Sequence, residues 1–313
     1  MDDSVFRNYN SMDPHLSSVE KTYRNMLQSQ SIKYVAEMFE DYFISNPVSY
    51  NIWDATNMLD IIIDESDPDT DLPQIVHAYQ TAESIRSKYI YNNKLRNIPI
   101  RSLFTDNEWD NLPNRYKYMY STTIDTLYPN IVDWDWFILV GFIHDLGKVM
   151  LLDTFGSLPQ WAVVGDSFPL GNELDPNYVY FDKNYQSSNI DLCANIYLNN
   201  CGFKNVIFSW GHDEYLAKTL EHGSNYLPPE ALYIIRYHSF YSWHTPGNGI
   251  RGYTHLASHY DWLMLPLLKC FQKADLYSKT NVIPNDIEIK HKYTPLITKY
   301  FPLQKIDLFR KYF

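Results

Sequence analysis

Cysteine is scarce: Cys193, Cys201 and Cys270 are the only three in 313 residues, and none stand in CxxC spacing. That argues against a disulfide scaffold and a thiolate zinc finger, and with no apparent signal peptide it points to a reducing, cytoplasmic setting. Long apolar runs are missing too. The longest, at 137–143, is far too short to cross a bilayer, so no membrane partner is expected. Basic residues are outnumbered, 26 Lys and Arg against 37 Asp and Glu for a formal charge of −11, which opposes a broad nucleic-acid surface. There is no Gly-rich loop closed by Lys-Ser/Thr, no GxSxG elbow and no HExxH, which argues against a P-loop nucleotide enzyme, an elbow serine hydrolase and a zinc protease of that type. No Gly/Ser linker or low-complexity block divides the chain, so 1–313 reads as one domain able to bury a sizeable core. Without a coiled coil or hydrophobic tail, a monomer is the default.

What the chain has in plenty is aromatic side chains, 27 Tyr, 16 Phe and 8 Trp, which predict a core of packed rings with phenolic hydrogen bonds. Its apolar residues recur at helical rather than strand spacing. Val19, Tyr23, Met26 and Leu27 follow possible capping serines at 17 and 18, and Val35, Met38, Phe39 and Tyr42 continue after a break. The acidic run DESDPDTDLP at 64–73 predicts an ordered loop before a helix from about Gln74, carrying His77 and Gln80 toward a pocket; a solvated helix cap is the plainer alternative. Residues 135–152 form a buried helix by pattern, with further helices around 187–199, 210–221, 229–239 and 259–280. The charged stretch at 285–292 reads as a surface turn before a short last element around 295–300. No period-two series long enough for a substantial sheet appears, so the expected class is all-α. Residues 90–130, rich in Asn, Pro and Arg, have broken periodicity and read as a surface insertion with short helices, its Arg96, Arg101, Arg115 and Lys117 facing solvent or a partner.

Six polar residues stand inside otherwise apolar or aromatic segments: His77, His144, Asp145, His212, His238 and Asp275. Buried polar groups are costly unless satisfied, and six ligands exceed what one tetrahedral ion needs, so the pattern points to a two-metal site. Imidazole with carboxylate suits Fe, Mn or Zn more than a soft copper site. His144 and Asp145 are consecutive, and a carboxylate has two oxygens with which to bridge neighbouring ions. Lys148, four residues after His144, is placed to orient or polarise an oxygen-rich substrate. Asp213 and Glu214 beside His212 read as orienting or capping groups. His244 is a less favoured ligand, and Asp275 has the alternative of an ion pair with Lys273 or Lys279.

A longer set of segments runs through the chain in order: FRNY at 6–9, DESDPDTDLP at 64–73, HAYQTAESIR at 77–86, LVGFIHDLGK at 139–148 and PQWAVVGDSFPLG at 159–171. SWGHDEYL at 209–216, LPPEALYIIRYHSFYSWH at 227–244, DLYSK at 275–279 and KYFP at 299–302 follow. Together they resemble the myo-inositol oxygenase family, a divergent branch of the helical HD-domain superfamily. The resemblance implies a compact multi-helix HD-domain-like fold around a dinuclear centre. One iron would be held by His77, His144, Asp145 and Asp275, the other by His212 and His238, with Asp145 bridging. It further implies a polyol pocket of Arg7, Asp64, Lys148, Gly165, Asp166, Ser239 and Lys279, with Arg7 bringing the N-terminal arm back as a lid. Lys148 and Asp145 are the implied catalytic pair. The implied reaction is cleavage of the myo-inositol ring by O2 to D-glucuronate, on a mixed-valent Fe(II)/Fe(III) pair. The separation of His77 from His144 is a few dozen residues longer than the family pattern, and a smaller expansion precedes Pro159. Two other readings remain at this point: an HD-type metal-dependent phosphohydrolase using Lys148 or Lys279 on phosphate, and an inactive metal-containing scaffold presenting 90–130.

Overall fold

Most of the periodic segments fold as helices. In the computed structural model, which describes residues 9, 15–69, 72–182, 184, 189–276 and 285–312, α1 (His15–Ser29) and α2 (Ile32–Phe43) come first. Ser31 caps α2 by accepting from Tyr34 N at 3.1 Å. A short strand β1 (Val48–Asn51) leads into α3 (Ile52–Asn57), and the acidic loop delivers α4 (Gln74–Ile85). Short helices α5 (Asp106–Asp110), α6 (Asn114–Met119) and α7 (Ile124–Leu127) precede α8 (Asp135–Ile143). After a long irregular stretch come α9 (His212–His222), α10 (Pro229–Tyr237), the single turn α11 (Tyr241–His244), α12 (His259–Leu276) and α13 (Asp286–Tyr300), then β2 (Lys305–Leu308).

The core lies where α4, α8, α10 and α12 pack together, with α9 against α10 and α13 against α8. Every residue of α8 from Trp136 to Ile143 is buried, as its unbroken apolar run requires. Architecture is therefore predominantly helical. The exception is a two-stranded antiparallel ribbon in which Val48 pairs with Leu308 and Asn51 with Lys305. It was invisible in the sequence because four-residue strands are too short to display alternation.

Three expected elements differ. The helix expected at 135–152 stops at Ile143, and a 3₁₀ helix (Leu146–Leu151) follows, so His144 and Asp145 lie at a change of path rather than on one continuous helix. The helix expected at 187–199 is instead a 3₁₀ turn (Ile190–Leu192) amid loop among its described residues. The turn expected at 285–292 is the first half of α13: Asn285 accepts from Glu288 N, and Ile289, Tyr293 and Ile297 bury on one face. Its charges are i,i+4 pairs, Asp286 with Lys290 at 2.9 Å and Glu288 with Lys292 at 3.6 Å, which a turn reading mistook for plain surface.

Residues 90–130 form short helices, as expected, but they bring apolar side chains inward: Ile100, Tyr120 and Ile124 are fully buried. Tyr116 stacks on Trp262 of α12 with ring centroids 4.2 Å apart. Glu108 reaches Lys269 Nζ at 2.6 Å and Arg251 at 3.2 Å, an acid held between two buried cations. The basic residues of the stretch engage locally, Arg96 with Asp125, Arg101 with Asp106, Arg115 over the Tyr116 ring and Lys117 with the Asp110 carbonyl.

Candidate metal centre and polyol pocket

His77, His144, Asp145, His212, His238 and Asp275, spread over some two hundred positions, converge on one buried cavity of about 60 Å³. α4 presents His77, the end of α8 presents His144 and Asp145, the first residue of α9 is His212, the residue closing α10 is His238, and α12 supplies Asp275. Helix ends allow adjacent side chains to diverge from helical geometry, and the turn at 144–145 uses this to aim both inward.

Three of the four imidazoles are locked by their Nδ1 atoms. His144 Nδ1 meets the Gly141 carbonyl at 2.9 Å, His212 Nδ1 that of Val163 at 2.7 Å and His238 Nδ1 that of Ile235 at 2.7 Å. A ring donating from Nδ1 carries its lone pair on Nε2, which is the state that binds metal. His212 Nε2 and His238 Nε2 lie only 3.1 Å apart. Two facing lone pairs at that distance need a positive charge between them, a proton or a metal ion.

Asp145 sits in the middle. Its Oδ1 is 3.2 Å from His212 Nε2 and 3.7 Å from His238 Nε2; its Oδ2 is 3.4 Å from His144 Nε2 and 3.7 Å from His77 Nε2. Asp275 Oδ1 lies 2.8 Å from His77 and 3.3 Å from His144, and Thr81 donates to it at 3.2 Å. Two donor sets close enough for an ion follow, His77 with His144 and Asp275, and His144 with Asp145 and His238. Asp275 thus faces histidines; Lys273 reaches the Ser102 carbonyl instead, and Lys279 lies outside the described residues. Burial alone would raise the pKa of Asp145 and Asp275, but His144 and Lys148 beside the first, and His77 and His144 beside the second, hold both carboxyls well below the usual range. Burial opposes charge on His144, yet Asp145 and Asp275 outweigh it and lift its pKa, whereas in His238 burial wins and lowers it.

The polar half of the cavity is built around Lys148. Its Nζ donates to Gln74 Oε1 at 2.7 Å, Asp64 Oδ2 at 2.8 Å and Asp145 Oδ2 at 2.9 Å. Burial would strip its proton, but the two carboxylates overcome this and keep it an ammonium. Asp64 in turn accepts from Ser66 N at 2.8 Å. Opposite, Tyr23 OH donates to Asp166 Oδ1 at 2.8 Å, and Ser239 Oγ lies 3.4 Å from His212 Nε2. Asp64, Lys148, Gly165, Asp166 and Ser239 all line the cavity. Arg7 and Lys279 lie outside the described residues. His244 does not join the cluster; its Nε2 meets the His238 carbonyl at 2.8 Å. Asp213 and Glu214 do not orient His212 either: Glu214 grips Arg236 at 2.6 Å, bolting α9 to α10, and the orienting group is a backbone carbonyl.

Tyr23, Ser66, Gln74 and Tyr241 also line or brace the cavity and were missed in the sequence. Gln74 alone had a signal, standing one helical turn before His77. Gly147 has a different part. A Cβ there would lie 2.0 Å from the His212 carbonyl oxygen, so the 3₁₀ helix can approach the start of α9 only with glycine. Gly147→Ala is expected to displace His212 and lower metal content by at least half, measured by elemental analysis of folded protein; full metal occupancy would refute that dependence.

Helical scaffolding carries, among the described residues, two clustered His/Asp sets that could hold metal ions, with a lysine held among carboxylates beside them. A family profile described as "Myo-inositol oxygenase" matches residues 16–106 and 100–308. The chain is similar to inositol oxygenase 1 of Arabidopsis thaliana, 38% identical over 303 residues, spanning 95% of this chain and 83% of that protein. It is 38% identical over 304 residues to inositol oxygenase of Dictyostelium discoideum, with 95% and 88% covered, and 36% identical over 308 residues to that of Sus scrofa, with 96% and 91% covered. The chain belongs to the myo-inositol oxygenase family.

Proposed function

We infer that this enzyme cleaves the myo-inositol ring with O2 to give D-glucuronate. The observation that carries this reading is Asp145, one oxygen toward each imidazole pair and its inner oxygen bonded to Lys148, which joins a two-ion cradle directly to a polar pocket. His77, His144 and Asp275 would hold one ion with Asp145 Oδ2, and His212 and His238 the other with Asp145 Oδ1. The four-imidazole, two-carboxylate donor set suits iron. A mixed-valent Fe(II)/Fe(III) pair, when bound, supplies O2 activation and acidifies a coordinated alcohol. The balance is one polyol and one O2 to one glucuronic acid and one water.

This chain's residues do the rest. Lys148 offsets negative charge on a substrate oxygen and donates a hydrogen bond to it, exchanging one of its present acceptors. Asp64 accepts from a ring hydroxyl, its carboxylate kept ionised against burial chiefly by Lys148 and further by Ser66. Asp166, oriented by Tyr23, accepts from another, with the Gly165 backbone and Ser239 beside it. Arg7 and Lys279 belong to the same pocket by resemblance. The wider reading is an HD-domain-like single domain with an insertion at 90–130, acting as a cytoplasmic monomer.

The test is anaerobic reconstitution with iron, then controlled O2 with myo-inositol, measuring O2 uptake and glucuronate together. Equimolar consumption and formation is expected. Folded, iron-loaded protein that does neither overturns the reading, and release of phosphate from phosphorylated substrates would then mark the hydrolase instead.

A further inference from the structure

Beside the metal cavity lies a second, much larger one of about 830 Å³. Tyr241 and Asp166 line both, so the two share a wall. Its volume falls in the range of small-molecule sites, roughly 300–1,000 Å³. One wall is contributed by residues 102–108, facing residues 175–179 and 241–249. The three segments are tied together: Asn107 Nδ2 donates to the Asn248 carbonyl at 2.7 Å, Asn248 Nδ2 to Asn177 Oδ1 at 2.9 Å, and Asn177 to Asp175 Oδ1 at 2.9 Å. The mouth is a built rim rather than a gap between loops.

The chemistry of the lining selects a ligand. Its buried cation, Lys269, is already committed to Glu108 at 2.6 Å and to the His244 carbonyl at 2.8 Å, and Lys273 reaches the Ser102 carbonyl at 3.2 Å. Among the described residues an anion therefore finds no uncommitted ammonium there. Gln272 is 3% exposed, donates Nε2 to Tyr241 OH at 2.7 Å, and leaves Oε1 without a partner. A buried carbonyl oxygen in that state calls for a hydroxyl or amide donor. Side-chain amides and hydroxyls around it are the groups that recognise neutral, hydroxyl-rich molecules.

We propose that this chamber is a staging compartment for the polyol, which binds there and passes Tyr241 and Asp166 to reach the metals. The proposal rests on the function inferred above. Gln272 has one duty in it: its amide fixes Tyr241 at the passage.

Gly247 provides a probe, because it lines the chamber and a Cβ built on it meets nothing within 4 Å. The series Gly247→Ala, Gly247→Leu and Gly247→Trp, with circular dichroism and iron content as controls for folding, should raise KM for myo-inositol in order of side-chain size, by about tenfold for tryptophan. Saturated kcat should change less than about twofold, since only access is obstructed. KM for O2, a far smaller molecule, should stay the same. Gln272→Met, near in shape but lacking the amide that holds Tyr241, should raise KM for myo-inositol several-fold by the same split. Folded, iron-loaded Gly247→Trp and Gln272→Met with wild-type KM would overturn the staging role and leave the oxygenase reading standing. A wild type that forms no glucuronate would overturn both.

Discussion

Asp145→Ala is expected to abolish glucuronate formation and to leave the protein with about half its metal or less. Among the described residues, no other has one oxygen toward His212 and His238 and the other toward His144 and His77. Losing it should therefore exceed the roughly 10–100-fold loss typical when only an outer hydrogen-bond partner of a metal ligand is removed. Asp145→Asn separates charge from shape, since the amide keeps the volume but leaves Lys148 with Asp64 as its one remaining buried anion. Both variants should fail in O2 uptake with myo-inositol. Full metal content with wild-type turnover in either would remove Asp145 from its central place.

Glu108→Ala should give the largest loss of stability outside the metal cluster. Glu108 is 6% exposed and lies between Lys269 and Arg251, both buried. Removing the acid leaves two uncompensated cations, and breaking a buried pair in this way costs about 3–5 kcal/mol. Denaturant titration measures it, and a change below about 1 kcal/mol, the size of an exposed pair, would contradict the burial argument. Burial alone would raise the Glu108 pKa, but Lys269 and Arg251 outweigh it and lower it from 4.5. Lys269 moves the other way for a carboxylate's partner, down to about 8, because burial dominates and it shares one acid with a neighbouring guanidinium. With the folded carboxyl depressed, its stabilisation is complete above pH 4.5 and fades as pH falls through the folded value. The gap between wild type and Glu108→Gln should accordingly narrow in acid.

Much of this was legible because of contrast. His77, His144, His212 and His238 interrupt apolar surroundings, and a polar group in such a place has few ways to be satisfied. The helices α4, α8, α9, α10 and α12 announced themselves through the same apolar periods. What the sequence hid was of two kinds. Gln74 and Tyr23 act on Lys148 and Asp166 across long chain separations, and Ser66 acts on Asp64 from two residues away within a loop whose fold no period announces. Residues 90–130 looked like surface because their apolar side chains come from several short helices, each too brief for a period to show. Only when Tyr116 and Tyr120 meet α12 do they make a single buried face.

The β1–β2 ribbon sets an order of events during synthesis. Arg310 Nε reaches Tyr50 OH at 2.9 Å across 260 positions, Tyr215 OH reaches the Phe309 carbonyl, and Tyr312 N reaches the Asp41 carbonyl. Helix α2 and strand β1 thus leave the ribosome long before the C-terminal segment that fastens them. Contacts so distant in sequence form late, because the intervening chain must first lose its freedom. The nascent protein therefore spends most of its translation with Phe43 and Tyr50 lacking their C-terminal partners, Phe309 and Arg310. Shortening the chain before residue 305 would prolong that interval indefinitely, leaving the metal ligands present but their shell unfastened.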